Sequence, residues 1–325
     1  MQALEVVSNL GPDGLRLTDR EVPTPKPGQA LIRVRAAGVN YADVMQSRGL
    51  YAGGPRPPYV AGLEACGEIV ALCDAGGQCP YPIGARVMGF GGSAFAEYVA
   101  WSVRGLMPVP QNWNDNQAAA FPIQWLTAQG CLCTCGRLKR GETVLIHAAA
   151  GGVGTAAVRI AKHLGARVIA TASTDEKLQV ARNNGADEVI NYRESDFVAE
   201  LKKRTEGRGA DLVLEMVGGE TFQKNLDAVV PFGRVVVFGA ASAQQATIQN
   251  TRLIFQPVEL IGYHLAVMAT RRPDLFAAQL TEVNKLIAMG VIVPDEPRTY
   301  PLSEGGRALQ DLEQRRTTGK LVLIP

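Results

Sequence analysis

The chain has 325 residues, 46% of them hydrophobic and 20% charged, with a formal net charge of +2. This is the composition of a globular protein of about two domains, and it excludes a disordered or low-complexity chain. Lysines and arginines are scattered rather than striped, which gives no nucleic-acid or membrane-surface signal, and no apolar run is long enough to span a bilayer.

The N-terminal Met1-Gln-Ala-Leu-Glu-Val-Val7 reads as a first strand. It lacks the basic and apolar regions of a secretory leader, so a cytoplasmic protein with reduced thiols is expected. Strand-like runs follow at 30–35, 68–72, 86–90 and 94–100, punctuated by Pro23, Pro25, Pro27 and Gly28 and by Gly53-Gly-Pro-Arg-Pro-Pro58. The six cysteines are Cys66, Cys73, Cys79, Cys131, Cys133 and Cys135. The cluster at 131–135 falls in an expected helix, 128–138, where residues two apart face different ways; it reads as small core residues rather than a metal site. Cys73 and Cys79 flank a Gly-Gly turn and can pair under oxidation.

From about residue 124 the texture becomes alternating strand and helix. Strands are expected at 143–147, 167–172, 187–190, 211–215, 233–238 and 258–263, with helices at 152–164, 176–184, 196–205 and 219–229 between the earlier ones. The spacing predicts an α/β fold, a doubly wound parallel sheet. The most informative stretch is Gly141-Glu-Thr-Val-Leu-Ile-His-Ala-Ala-Ala-Gly-Gly-Val-Gly154: a strand ends in glycines and a helix begins. Gly151 permits a tight turn, Gly152 and Val153 offer backbone to a pyrophosphate, and Gly154 allows close helix packing. After residue 264 a helix at 274–289, a strand-like Arg298-Thr-Tyr-Pro301, a helix at 303–314 and a last strand at 320–324 return to the first domain. The expected division is 1–123 and 265–325 for a catalytic, substrate-binding domain, with 124–264 as an inserted dinucleotide-binding domain.

Over essentially its whole length the chain resembles the medium-chain dehydrogenase/reductase superfamily, and within it the zinc-independent, ζ-crystallin-like quinone oxidoreductases. The resemblance rests on Ala37-Gly-Val-Asn-Tyr-Ala-Asp43, Gly49-Leu-Tyr51, Gly62-Leu-Glu-Ala-Cys-Gly67, Gly84-Ala-Arg-Val-Met88, the 141–154 stretch and Thr317-Thr-Gly-Lys320. Glu259-Leu-Ile-Gly-Tyr-His264 is also similar to the vesicle amine transport protein branch. The resemblance implies a Rossmann domain inserted in a β-rich GroES-like domain. Zinc members place ligands where this chain has Asn40, Leu63 and Ile123, and they carry a four-cysteine lobe where this chain has no cysteine, so no metal is expected.

NAD-specific folds place a carboxylate at the end of the second strand; the aligned position here is Ser173. A hydroxyl tolerates a 2′-phosphate, and Lys177 adds positive charge, which together with the resemblance favours NADPH. Asp175 is also within reach of the ribose, and Ser173 with Glu176 also fits a capping box. By match to the family, Tyr192 contacts the phosphate, Asn40 and Thr127 lie near the nicotinamide ribose and amide, Phe238, Gly239 and Ser242 end the fifth strand at the binding edge, and Tyr263, His264 and Leu265 lie near the nicotinamide. Lys320 either reaches the cofactor or the active-site wall, or is a surface lysine.

The reaction implied is hydride transfer to a quinone or α,β-unsaturated carbonyl, which leaves an anion in need of a proton. Many quinone oxidoreductases carry a tyrosine where this chain has Met45; Tyr51 matches the acid tyrosine of 2-enoyl thioester reductases and is the expected donor, or else a tyrosine on the rim of the substrate loop. Asp43 and Glu64 read as a buried polar network with Arg48 as partner, His147 as a core histidine and His163 as solvated. Two alternatives stay open: a 2-enoyl thioester reductase, and a NADPH-binding protein with a mainly non-catalytic role. A homodimer is expected, because the sixth strand is otherwise an unpaired apolar edge.

Overall fold

The computed structural model describes residues 1–73 and 79–325. The chain forms two compact units, Met1–Ile123 with Pro294–Pro325, and Gln124–Val293.

The first unit is built on the long strand Gln29–Val39. Side chains alternate between buried and part-exposed along its first half, and the second half is almost wholly buried. It pairs antiparallel with Glu64–Cys73, Tyr98–Ser102 and Leu321–Ile324. Arg86–Phe90, Leu106–Pro108 and Arg298–Pro301 complete a seven-stranded sheet. A second sheet joins Leu15–Asp19, Gln2–Val6 and Tyr59–Val60. Ile32, Ile69, Phe95, Leu309 and Leu323 lie in the shared core, where burying each side chain contributes about 1.5–3 kcal/mol. Gly38 is required by close approach: a Cβ there would sit 2.4 Å from the Ala119 carbonyl oxygen and 2.6 Å from Glu64 Oε1.

The second unit carries a six-stranded parallel sheet. In spatial order its strands are Glu188–Asn191, Arg167–Ala172, Thr143–Ile146, Ala210–Glu215, Val229–Val237 and Glu259–Gly262. The order reverses between Thr143–Ile146 and Ala210–Glu215, and in such sheets ligands bind at the carboxyl ends of the strands beside that reversal. Leu145, Ile169, Val213 and Val235 are fully buried along the sheet.

The structure departs from the sequence expectations in several places. The second unit runs past 264 to Val293, because the helix Pro273–Ala288 turns Phe276, Gln279 and Val283 inward and Gln279 donates to the Leu126 carbonyl of the same unit. The strand expected at 94–100 is Tyr98–Ser102, and a short helix, Tyr41–Ser47, appears where none was expected. Cys131, Cys133 and Cys135 lie in a π-helical stretch, Gly130–Cys135, with Cys131 fully buried. The turn between Cys73 and Cys79 lies outside the described residues, and no disulfide joins the two. Among the described residues no helix is long and apolar enough to cross a membrane.

Candidate active site

In the first unit, the ends of Gln29–Val39 and Glu64–Cys73 and the start of Leu321–Ile324 converge on a buried polar cluster. Lys320, 7% exposed, donates from Nζ to Asn40 Oδ1 at 2.6 Å and to Glu64 Oε1. Asn40 Nδ2 donates to the same Glu64 oxygen at 2.8 Å, and the Ile123 backbone N–H donates to Glu64 Oε2 at 2.7 Å. Glu64 is fully buried, and the Lys320 ammonium is paired with it. Lys320 is therefore not a surface lysine. The partner expected for the carboxylates, Arg48, is instead taken by Glu313.

Asn40 caps the helix Tyr41–Ser47, and its backbone N–H donates to Asp43 Oδ2 at 2.7 Å. Asp43 is 2% exposed and its Oδ1 has no hydrogen-bond partner among the described residues. Burial pushes its carboxyl up to about 7, against the pull of the Asn40 N–H and Lys320, while Glu64 raises it further. Tyr51, on the turn after this helix, is half-buried; burial and the Asp43 charge both raise its phenol. The same two causes push Tyr59 up to about 12.

These residues do not fit a zinc ion. Asn40, Leu63 and Ile123 offer neither thiolate nor imidazole, and the Lys320 ammonium already occupies Asn40 Oδ1 and Glu64 Oε1. Among the described residues there is no group of three His, Cys, Asp or Glu side chains able to hold a metal.

In the second unit, the helix Gly152–His163 begins at Gly151 with no side-chain cap, so its first-turn N–H groups are left for an anion. Gly154 packs against the turn: its Cβ would meet the Ala148 oxygen at 2.3 Å and Ala149 Cα at 2.6 Å. Gly151 is open by comparison, with only the Ala148 oxygen at 3.2 Å. The chain thus presents the short backbone approach that a dinucleotide pyrophosphate needs.

At the end of Arg167–Ala172 the structure brings Ser173 and Tyr192 together, because the Tyr192 N–H donates to the Ala172 carbonyl at 3.2 Å. Ser173 is buried and Tyr192 exposed. The capping box read for Ser173 and Glu176 does not form: Thr174 caps Asp175–Asn183 and accepts from the Lys177 N–H. Lys177 stands in the first turn of that helix, half-buried.

At the carboxyl ends of the central strands the Phe238 N–H donates to the Glu215 carbonyl and the Ser242 N–H to the Val217 carbonyl, both at 2.9 Å; Gly239 and Ser242 are exposed. Thr127 is buried on the helix Pro122–Gln129. Tyr263 is placed in the core, its hydroxyl bonded to the Leu126 carbonyl and Gln279 Oε1, each at 3.3 Å. His264 is exposed and accepts from the Val267 N–H as the cap of Leu265–Arg271, with Leu265 buried behind it.

The second unit also holds a relay that the sequence did not lead us to expect. Glu215 accepts from Asn225 Nδ2 and from the Val217 and Gly218 backbone N–H groups. Asn225 Oδ1 then faces His147 Nε2 at 2.7 Å as an acceptor, which puts the imidazole proton on Nε2 and leaves Nδ1 to accept from the Thr171 hydroxyl at 2.9 Å. Burial pushes His147 down and Glu215 up. The relay ties the loop after Ala210–Glu215 to Thr171 on the strand Arg167–Ala172. Only Asn225, a polar residue on an otherwise amphipathic helix, was a signal for it.

Two family models match the chain: the alcohol dehydrogenase GroES-like domain over residues 26–111 and the zinc-binding dehydrogenase over residues 152–280. A quinone oxidoreductase of Pseudomonas aeruginosa is 34% identical, covering 97% of this chain and 97% of its own length. The crystal structure of an Escherichia coli quinone oxidoreductase complexed with NADPH superposes with a TM-score of 0.93 at 32% identity, covering all of both chains. A phenolphthiocerol/phthiocerol polyketide synthase of Mycobacterium tuberculosis is 31% identical over 96% of this chain, which spans 14% of that protein's length.

Proposed function

Because the chain belongs to the quinone oxidoreductase family of the medium-chain dehydrogenase/reductase superfamily, we propose that it is an NADPH-dependent, zinc-independent reductase of quinones or α,β-unsaturated carbonyls. The observation that carries this reading is the buried Lys320–Glu64–Asn40 cluster, which engages Asn40, one of the three zinc-ligand positions, in a chain that also keeps the uncapped glycine turn. When bound, NADPH supplies the hydride. The first-turn N–H groups at Gly152–Gly154 seat its pyrophosphate; Ser173, Lys177 and Tyr192 accept its 2′-phosphate side. In the second unit Thr127 lies on the nicotinamide side and Phe238, Gly239, Ser242 and His264 form the remaining cofactor edge; in the first unit Glu64 and Lys320 hold Asn40, the residue that the family match assigns to the nicotinamide. An electrophilic acceptor needs no Lewis acid, only positioning, exclusion of water and a proton, for which Tyr51 is the donor.

The cofactor assignment is checked with Ser173→Asp. A carboxylate there repels the 2′-phosphate and receives the two ribose hydroxyls, so the NADPH-to-NADH ratio of kcat/KM is expected to fall about 10- to 100-fold. An unchanged ratio would remove Ser173 from the 2′-phosphate site.

A second reading, a 2-enoyl thioester reductase, draws on Tyr51 and the match to a polyketide synthase; efficient turnover of an enoyl-CoA with none of quinones would favour it. We further propose a homodimer. Glu259–Gly262 is the outer strand of its sheet, and Phe232, Ile254 and Phe255 of the same unit are 80%, 70% and 88% exposed. A monomer mass by light scattering contradicts this. None of the six cysteines is in a disulfide, in keeping with a cytoplasmic location, which cell fractionation checks.

A further inference from the structure

The helix Pro122–Gln129 of the second unit carries three buried polar atoms with no hydrogen-bond partner among the described residues: Gln124 Oε1, Trp125 Nε1 and Gln129 Oε1. Gln124 is set apart by what it faces. It is 5% exposed, and the three heavy atoms nearest a Cβ built on Gly152 all belong to it: Oε1 at 2.4 Å, Cδ at 3.5 Å and Cβ at 3.6 Å. The amide oxygen therefore packs on Gly152 Cα, at the first residue of the uncapped helix Gly152–His163 of the same unit. Gly152 does not have left-handed backbone, so what requires a glycine there is the space the Gln124 amide fills. An acceptor kept from water with no donor costs free energy, and a native structure holds one where a ligand supplies the donor.

The chemistry of a dinucleotide seated at this turn says which donor fits. Its pyrophosphate offers only acceptor oxygens, which an amide oxygen repels, whereas the ribose hydroxyls on either side of it donate. The adenosine-side ribose belongs with Ser173, beyond the end of Arg167–Ala172. Thr127, assigned above to the nicotinamide side, stands three residues after Gln124 on the same helix and so on the same face. We propose that Gln124 is a further cofactor-binding residue, whose Oε1 accepts a hydrogen bond from a hydroxyl of the nicotinamide-side ribose. The inference rests on the NADPH-dependent reading and adds a residue to that same site.

The test compares the full-length wild type with Gln124→Met, which keeps the length of the side chain and removes its amide. Three ligands are titrated by calorimetry: NADPH; 2′-phospho-ADP-ribose, which ends at the second ribose and lacks the nicotinamide; and 2′-phospho-ADP, which ends at the second phosphate. The variant is expected to bind the first two about 3- to 10-fold more weakly and the third within about twofold of wild type. Without ligand it is expected to unfold at the wild-type temperature or above, because a costly unpaired acceptor has gone; loss of a residue kept for packing lowers that temperature. Unchanged affinity for NADPH overturns the proposal. An equal loss on 2′-phospho-ADP also overturns it, since the contact is then to the phosphates. A lowered unfolding temperature with all three affinities reduced overturns it as well, since the role is then packing. If the wild type binds none of the three ligands, the NADPH-dependent reading itself fails and the proposal falls with it.

Discussion

Gly154→Val is expected to weaken NADPH binding by about 10²-fold or more and to lower the thermal unfolding midpoint of the protein. The atoms that a side chain would strike, the Ala148 oxygen at 2.3 Å and Ala149 Cα at 2.6 Å, are backbone. Backbone cannot turn aside as a flexible side chain does, so the whole helix Gly152–His163 has to slide away from the turn. That helix supplies the N–H groups proposed to seat the pyrophosphate, and its inner face buries Ala156, Ala157, Ile160 and Ala161 in the core. One substitution therefore strains the packing and misplaces the binding groups together. Gly151→Ala is the control, since its Cβ meets only the Ala148 oxygen, at 3.2 Å. NADPH fluorescence titration of both variants checks this; near-normal affinity in Gly154→Val would show that the turn tolerates the displacement.

Lys320→Met is expected to cost about 3–5 kcal/mol of unfolding free energy at neutral pH, because it strands the buried Glu64 carboxylate. Adding Glu64→Gln should recover much of the loss, since the amide oxygen can still accept from the Ile123 N–H while the Asn40 amide turns over to face the new NH2 group. Urea unfolding of the two single variants and the double variant closes the cycle. A Lys320→Met protein within about 1 kcal/mol of wild type, the value of an exposed pair, would mean the cluster is wetter than its burial implies.

The alternating strands and helices from 143 to 237 were legible because each carries a clean local period, and the glycine turn because its residues are contiguous. The helix Tyr41–Ser47 had a local signal too, since Asn40 and Asp43 stand three apart as a capping box does, but the family resemblance gives those two residues other roles. Ser173 and Thr174 are adjacent hydroxyl residues with equal claims on the cap, and only backbone geometry decides for Thr174. The cluster of Lys320 with Glu64, and of Arg48 with Glu313, joins residues from opposite ends of the chain. No local pattern reports such pairs, which is why Lys320 read equally well as a surface residue and Arg48 as the partner of the wrong carboxylate. The domain return was misplaced for a similar reason: whether Pro273–Ala288 belongs to one unit or the other depends on what Gln279 and Phe276 bury against, not on their spacing.

That the chain is a zinc-independent, NADPH-dependent reductase is tested most directly by following NADPH and NADH oxidation with four acceptors. These are an ortho-quinone, a para-quinone, an enone and an enoyl-CoA, each with and without a strong zinc chelator. Consumption of NADPH in preference to NADH, with a quinone or the enone and unchanged by the chelator, is the expected result. Binding of NADPH without turnover of any acceptor, or activity abolished by the chelator and restored by zinc, would contradict it.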